Sequence, residues 1–262
     1  LNEMYGKVLS NPVEEEQMRF AFIFFTAFGA VFMSSMSGCG SGTITLPVWI
    51  LLGYPLPVAI ACDKIDSCVW TPIAARNYLT KAVVHWELII PMTALGIIGS
   101  LAAAYMVIQV DESVMRRVIG ATILLVLLLA AIQKDFGLTE NQKSTDDRLM
   151  QLLGLPFGFY EGFFGAGNGI FTAYAFSRIK GFSLITSLGN YYLMAFIWCL
   201  FSLAVLLAGG YYDPPLFIAA ALGSILGGYL GSKVGVTMGS SFVKKAFIVL
   251  GAGLALKLIL GF

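Results

Sequence analysis

The sequence predicts an all-α polytopic membrane protein made of two inverted structural repeats, each with four to five transmembrane segments and a glycine-broken helix. Three observations predict it. Of the 262 residues, 58% are hydrophobic and only 12% charged, whereas a soluble domain carries about 25% charged residues. Half that fraction cannot cover a water-facing surface, so lipid is the expected solvent. The charges also gather between long uncharged runs. No charged residue lies between Phe20 and Ile60, and further uncharged runs cover 88–109, 118–133, 181–212 and 214–232. Crossing a bilayer takes roughly 20 apolar residues. Finally, the two halves of the chain match each other.

The match is found by dividing the chain at its polar stretch KDFGLTENQKSTDDRLM. Gly38, Gly40, Gly42 and Thr45 then align with Gly165, Gly167, Gly169 and Thr172, all at an offset of 127. The same offset carries Leu95-Gly96 onto Leu222-Gly223, and a slip of one residue brings MRRVI (115–119) onto VKKAF (243–247). An offset held over about eighty residues points to duplication. The expected organisation is a polar N-terminal segment 1–18, a first repeat 19–134, a connecting loop 135–148 and a second repeat 149–262.

In order, the apolar segments of the first repeat are expected at 19–36, 43–53, 57–80, 86–109 and 113–134. Those of the second are expected at 149–164, 170–178, 182–208, 214–232 and 242–261. The second segment of each repeat is short and follows the glycine cluster directly, so it enters the membrane without having to cross it. Matching loops carry opposite Lys/Arg bias: 53–57 has none while 178–182 has Arg178 and Lys180, and 76–85 has Arg76 and Lys81 while 208–213 has none. Cytoplasmic loops are the ones rich in Lys and Arg. The bias therefore favours repeats inserted upside-down relative to each other, at five crossings each, although Arg19, Arg116, Arg117 and Lys257 then fall on the wrong side. Parallel repeats of four crossings are the competing topology. Trp86, Tyr78, Tyr211 and Tyr212 stand near expected span ends, as interfacial aromatics do.

A helix broken inside a membrane leaves backbone N–H and C=O groups unpaired, which is tolerated only inside protein or along a wet cavity. The segments expected to start at Thr43 and Ile170 present free N–H donors and the positive end of the helix dipole, a natural seat for an anion. Paired broken helices near the midplane are the recurring design of secondary transporters. The candidate substrate-binding residues are therefore Gly38, Gly40, Ser41, Gly42 and Thr43 at the first break, and Gly165, Gly167, Asn168 and Gly169 at the second. The stretch ACDKIDSC (61–68) adds Lys64, which would attract an anion. Charge at membrane depth is costly and marks a pathway, so Asp63, Asp66 and Glu161 are candidate coupling groups that hold or carry a proton. The competing placement puts DKID in a headgroup region and Glu161 near the surface.

Other classes are set aside on composition. A formal net charge of +1 offers no field for nucleic acid. The four cysteines have no CxxC spacing, and the single histidine, His85, argues against a multi-histidine metal site. No HExxH, and no GxSxG with a partnering histidine, suggests an enzyme. Neither cofactor nor metal is expected. The partners are a small anion and the lipid bilayer, with room for a homodimer.

The glycine-rich break after the first span and its copy in the second half resemble the sulfite exporter TauE/SafE family of membrane permeases. ALGSILGGYLGSKVG (221–235) and SFVKKAFIVLGAGLALKLIL (241–260) carry the same resemblance, which covers the chain from about residue 20. It implies a multi-pass protein of the prokaryotic cell membrane that moves, and usually exports, small sulfur-containing anions such as sulfite, sulfoacetate and other sulfonates by alternating access. Gly38, Gly40 and Gly42 match the first family motif and Gly165, Gly167 and Gly169 the second. Cys39, Ser41 and Asn168 interrupt what is often a denser glycine run, and DKID stands where the family often has small hydroxyl residues. A cation transporter, or a proton-coupled carboxylate transporter, using Asp63, Asp66 and Glu161 is the alternative. A membrane-embedded enzyme is a remote one.

Overall fold

The computed structural model describes residues 12–109 and 147–260, and in them the chain is helical with no strand. The expected segment at 113–134 and most of the connecting loop lie outside the described residues. The elements are α1 (Pro12–Ser37), α2 (Gly42–Leu51), α3 (Leu56–Tyr78), α4 (Trp86–Val107), α5 (Asp147–Phe163), α6 (Asn168–Ala175), a π-helical turn (Phe176–Lys180), α7 (Leu184–Ala208) and α8 (Pro214–Leu260).

Two boundaries differ from expectation. The helix α1 starts seven residues early and takes in VEEEQ, because Glu14 and Glu15 in its first turn complement the positive end of the helix dipole. The last two segments, expected at 214–232 and 242–261, are joined without a loop. Helix α8 runs through the interval and breaks only at Gly239, whose φ of 79° and ψ of 177° no helix contains.

Among the described residues four helices are long and apolar enough to cross a membrane: Val13–Ser37, Trp86–Val107, Leu184–Ala208 and Pro214–Phe242. The 23-residue α3 is as long, at about 35 Å, but its four charged residues, Asp63, Lys64, Asp66 and Arg76, lower its hydropathy. In contrast α2, with 10 residues, reaches only about 15 Å, half of the hydrocarbon thickness. Large apolar side chains such as Phe25, Ile90, Ile98 and Ile218 point outward, as lipid requires.

Helix pairing is set by small residues, since without water between helices close backbone packing drives association. On α8, Gly223, Gly227 and Gly231 abut the backbone at Phe24, Phe28 and Phe32 of α1. On α5, Gly154, Gly158 and Gly162 abut Met92, Gly96 and Ser100 of α4. In both pairs the numbers rise together, so the paired helices run parallel. Trp70 against Gly228 and Asn77 against Ser232 make α3 parallel to α8. Bonds from Asn190 to the carbonyl of Val83 and from Trp198 to that of Thr93 make α7 parallel to α4. Helices α3 and α7 run opposite ways, with Gly189 beside Tyr78 and Leu79 but Cys199 beside Cys68. The bundle thus holds two opposed sets: α1, α3 and α8 in one direction, α4, α5 and α7 in the other.

The α3–α7 seam is aromatic. The Tyr192 ring lies 5.2 Å from that of Trp70 and 5.4 Å from that of Tyr78. Tyr78 is a correction to the interfacial reading: it is fully buried, and its hydroxyl donates to the Met36 carbonyl at 2.8 Å. This ties the end of α3 to the end of α1. Replacing Tyr78 by Phe removes that donor and should cost about 0.5–1.5 kcal/mol, read as a lower midpoint of thermal unfolding in detergent. Trp86 and Tyr212 are exposed at helix ends.

Candidate functional site

Each glycine cluster reverses the chain. Gly38 and Gly40 have φ of 80° and 76°, Gly165 and Gly167 have 74° and 76°, and no other residue type has positive φ among the described residues. The short helices that follow begin at Gly42 and Asn168, within two residues of the expected starts. Each then returns toward the end from which its partner came. The Arg19 guanidinium, near the start of α1, lies 4.9 Å from the ring centre of Tyr54, just beyond α2. In the second hairpin Lys180 Nζ meets Asp147 Oδ1, at the start of α5, at 2.5 Å. Because α1 and α5 belong to opposed sets, the two hairpins enter the bundle from opposite ends.

Their tips meet. The Gly167 N–H donates to the Cys39 carbonyl at 2.7 Å. A Cβ on Gly40 would fall 2.8 Å from the Gly165 oxygen, and one on Gly169 would fall 2.6 Å from the Gly38 oxygen.

Two of the charged residues of α3, Asp63 and Lys64, reach this junction. Asp63 and Lys64 are buried, as is Glu161 near the end of α5, so all three are enclosed by protein and none is solvated at the surface of the bundle. Lys64 Nζ donates to the Glu161 carbonyl at 2.5 Å and lies 3.4 Å from Asp63 Oδ2. Asp63 Oδ1 accepts from Ser41 at 3.2 Å. It also faces the first residue of α2, where a Cβ on Gly42 would sit 2.9 Å from it. Glu161 Oε2 accepts from Asn168 Nδ2 and from the Tyr191 hydroxyl, each at 2.6 Å, and Cys199 Sγ approaches Oε1 at 3.4 Å. Thr43 bonds the Gly40 carbonyl through its hydroxyl and so braces the hinge.

The helix N-termini expected to be open for an anion thus face the protein's own carboxylates. Asp63 stands at α2, Glu161 stands beside the second hinge, and Lys64 lies between them. Asp66 is placed apart. It is fully buried, and neither of its carboxyl oxygens has a hydrogen-bond partner. Asn168 Oδ1, Thr172 Oγ1 and Ser187 Oγ are likewise buried and unpaired, although buried polar atoms are nearly always satisfied. No group of three or more His, Cys, Asp or Glu residues able to hold a metal occurs among the described residues. A cavity of about 460 Å³ opens at the mouth of the second hairpin, lined in part by His85, Glu87, Asp147 and Lys180. None of its lining residues belongs to the hinges.

Tyr191 and Cys199 join the site unannounced, since in sequence they look like core residues. The repeat offset held a signal for one of them: Lys64 advanced by 127 is Tyr191, and both side chains reach Glu161.

The helical bundle, with two hairpins meeting at glycines, can now be set beside known proteins. The model described as "Sulfite exporter TauE/SafE" matches residues 23–258. The chain belongs to the sulfite exporter TauE/SafE family. A probable membrane transporter protein of Haemophilus influenzae is 27% identical over 91% of this chain and 94% of its own length. The probable membrane transporter protein YfcA of Escherichia coli K12 is 26% identical over 90% of this chain and 88% of its own. A Sinorhizobium relative, probable membrane transporter protein ORF9, is 24% identical over 91% and 92%. No solved structure matches the chain. This TauE/SafE protein is a multi-pass membrane transporter and not an enzyme.

Proposed function

We propose that this TauE/SafE protein transports a small sulfur-containing anion, such as sulfite, sulfoacetate or another sulfonate, by alternating access, with export as its direction. One observation carries the reading: Lys64, fully buried, places its ammonium where the two hinge tips meet. An incoming anion replaces the Asp63 carboxylate at Lys64 and at the α2 N-terminus. The exchange keeps the ammonium paired, so it is never left bare in a dry interior, a state that costs several kcal/mol, and the displaced Asp63 carboxylate takes up a proton from the water that enters with the anion. Ser41, Thr43 and the amides of the two hinges supply the remaining donors.

The opposed helix sets support inverted repeats as the machinery. Each helix of one half has its counterpart in the other set: α1 with α5, α3 with α7, α4 with α8. A re-entrant hairpin leaves the chain on the side it came from, as two crossings would, so the parity of the five-segment count is kept. Rocking of the α1–α8 pair and the α4–α5 pair about the fixed hinge junction would expose Lys64 to each side in turn.

A thermal-shift screen of the purified protein tests the substrate class. A sulfonate at about a hundred times its Kd should stabilise the fold by about 2.7 kcal/mol, with monocarboxylates of similar size giving less. A second reading is favoured by the two carboxylates, Asp63 and Glu161, that flank a single cation. In that reading the cluster binds a cation with Lys64 as counter-ion. Stabilisation by metal ions and none by sulfonates would select it.

A further inference from the structure

The acid that the hinge cluster leaves aside is Asp66. Opposite it on α8 stands Ser224, also fully buried, with its Oγ also unpaired. Ser224 is the hydroxyl that bears on the Asp66 carboxyl from across the α3–α8 interface, without the geometry of a formed hydrogen bond. One turn further along, Trp70 lies on Gly228, where a Cβ would come within 2.6 Å of the tryptophan Cβ. The helices are therefore in tight contact just beyond the unpaired polar pair.

The surroundings of Asp66 hold no balancing charge among the described residues. On its own helix the neighbours are Asp63 and the Cys62 thiol, while Lys64 is committed to the hinge. From α8 comes Ser224, with Tyr229 and Lys233 exposed. From α1 come Ser34 and Ser35, whose hydroxyls donate to the carbonyls of Ala30 and of Phe32 and Gly227. The ionisable groups of α1, Glu14, Glu15, Glu16 and Arg19, lie on its exposed first turns. From α7 comes Tyr192, bonded to the carbonyls of Ser34 and Ser35. A carboxylate here has no cation and only the Ser224 hydroxyl as a donor, too little for a buried charge, whereas the acid is uncharged and can exchange an O–H hydrogen bond with Ser224.

We infer that Asp66, with Ser224 across the interface, is a proton-binding site separate from the hinge cluster, and that loading it strengthens anion binding at Lys64. Asp63 and Asp66 are three residues apart on α3 and so share a face. A proton taken from water onto Asp66 removes one negative charge beside the Asp63–Lys64 pair and leaves the ammonium less outnumbered. An anion and a proton that favour each other's binding are coupled reciprocally, which is the requirement for moving them together. The coupling rests on the anion reading above, but the proton site does not.

The test separates the two. Infrared difference spectra of the purified protein on acidification should show a protonated-carboxyl band that is absent from Asp66→Asn and displaced in Ser224→Ala. A band unchanged in both variants overturns the proton site. If Asp66→Asn does not fold, the displacement in Ser224→Ala decides. Methanesulfonate, which carries no other titrating group, should bind about tenfold more tightly to the acidified wild-type protein, within the usual range of coupling, and to Asp66→Asn with only the smaller pH dependence left by Asp63. Equal pH dependence in the two proteins overturns the coupling. Failure of every sulfonate to bind, with the infrared band intact, sinks the anion reading and spares the proton site.

Discussion

Lys64→Ala protein reconstituted into proteoliposomes should show no sulfonate uptake above empty vesicles. The substitution removes the only ammonium at the hinge junction among the described residues and also leaves Asp63 buried beside Ser41 alone. Breaking a buried ion pair by removing one partner costs about 3–5 kcal/mol, so lost transport from this variant by itself confounds binding with folding. The double variant Lys64→Ala/Asp63→Asn separates them. It removes the stranded charge and should recover most of the lost stability, seen as a restored unfolding midpoint, while transport stays absent. Recovery of transport in the double variant would show that Lys64 only neutralises Asp63 and does not bind the solute.

Gly40→Ala should be severely damaging. Its φ of 76° is left-handed, which costs an L-residue roughly 1–2 kcal/mol. The added methyl would also lie 2.8 Å from the Gly165 oxygen and 2.9 Å from the Ala166 Cα, both backbone atoms with nowhere to go. Overpacking of this kind adds about 1–3 kcal/mol. The expected outcome is a sharp fall in the unfolding midpoint and lost transport, because the two hairpin tips cannot close on each other. Gly29→Ala is the control. It lies within α1 and has nothing within 4 Å of the new methyl, so it should be neutral, or stabilising by up to about 1 kcal/mol. Equal damage from both would mean that the hinge contact carries no special weight.

The two variants probe different layers of one arrangement. Gly40 holds the hinge geometry and Lys64 supplies its charge. Small residues bring the backbones of α1 and α8, and of α4 and α5, into close contact, so the proposed rocking would move each pair as a unit. The aromatic α3–α7 seam, with Tyr78 and Tyr192 bonded to the end of α1, is the part that such motion must strain.

The helices were legible because their causes are local. A membrane span needs only a run of apolar residues, and the re-entrant breaks needed only glycines spaced two apart, since no other residue type tolerates that backbone. The starts of α2 and α6 followed from the same glycines. The early start of α1 was missed because acidic residues read as loop when they were capping a helix. Tyr78 was missed because an aromatic near a span end looks the same whether it meets headgroups or a neighbouring carbonyl.

Hydropathy and glycine spacing, which are properties of the chain alone, settled a lipid-embedded helical bundle with two helices interrupted at glycines. Only the tertiary structure decided how the three acids and the lysine divide. It set Asp63 and Glu161 against Lys64 at the hinge, brought Tyr191 to the same carboxylate, and left Asp66 facing Ser224. The reason is that pairing depends on which helix faces arrive together, and residues 3 apart on α3 point to partners more than 150 residues apart elsewhere.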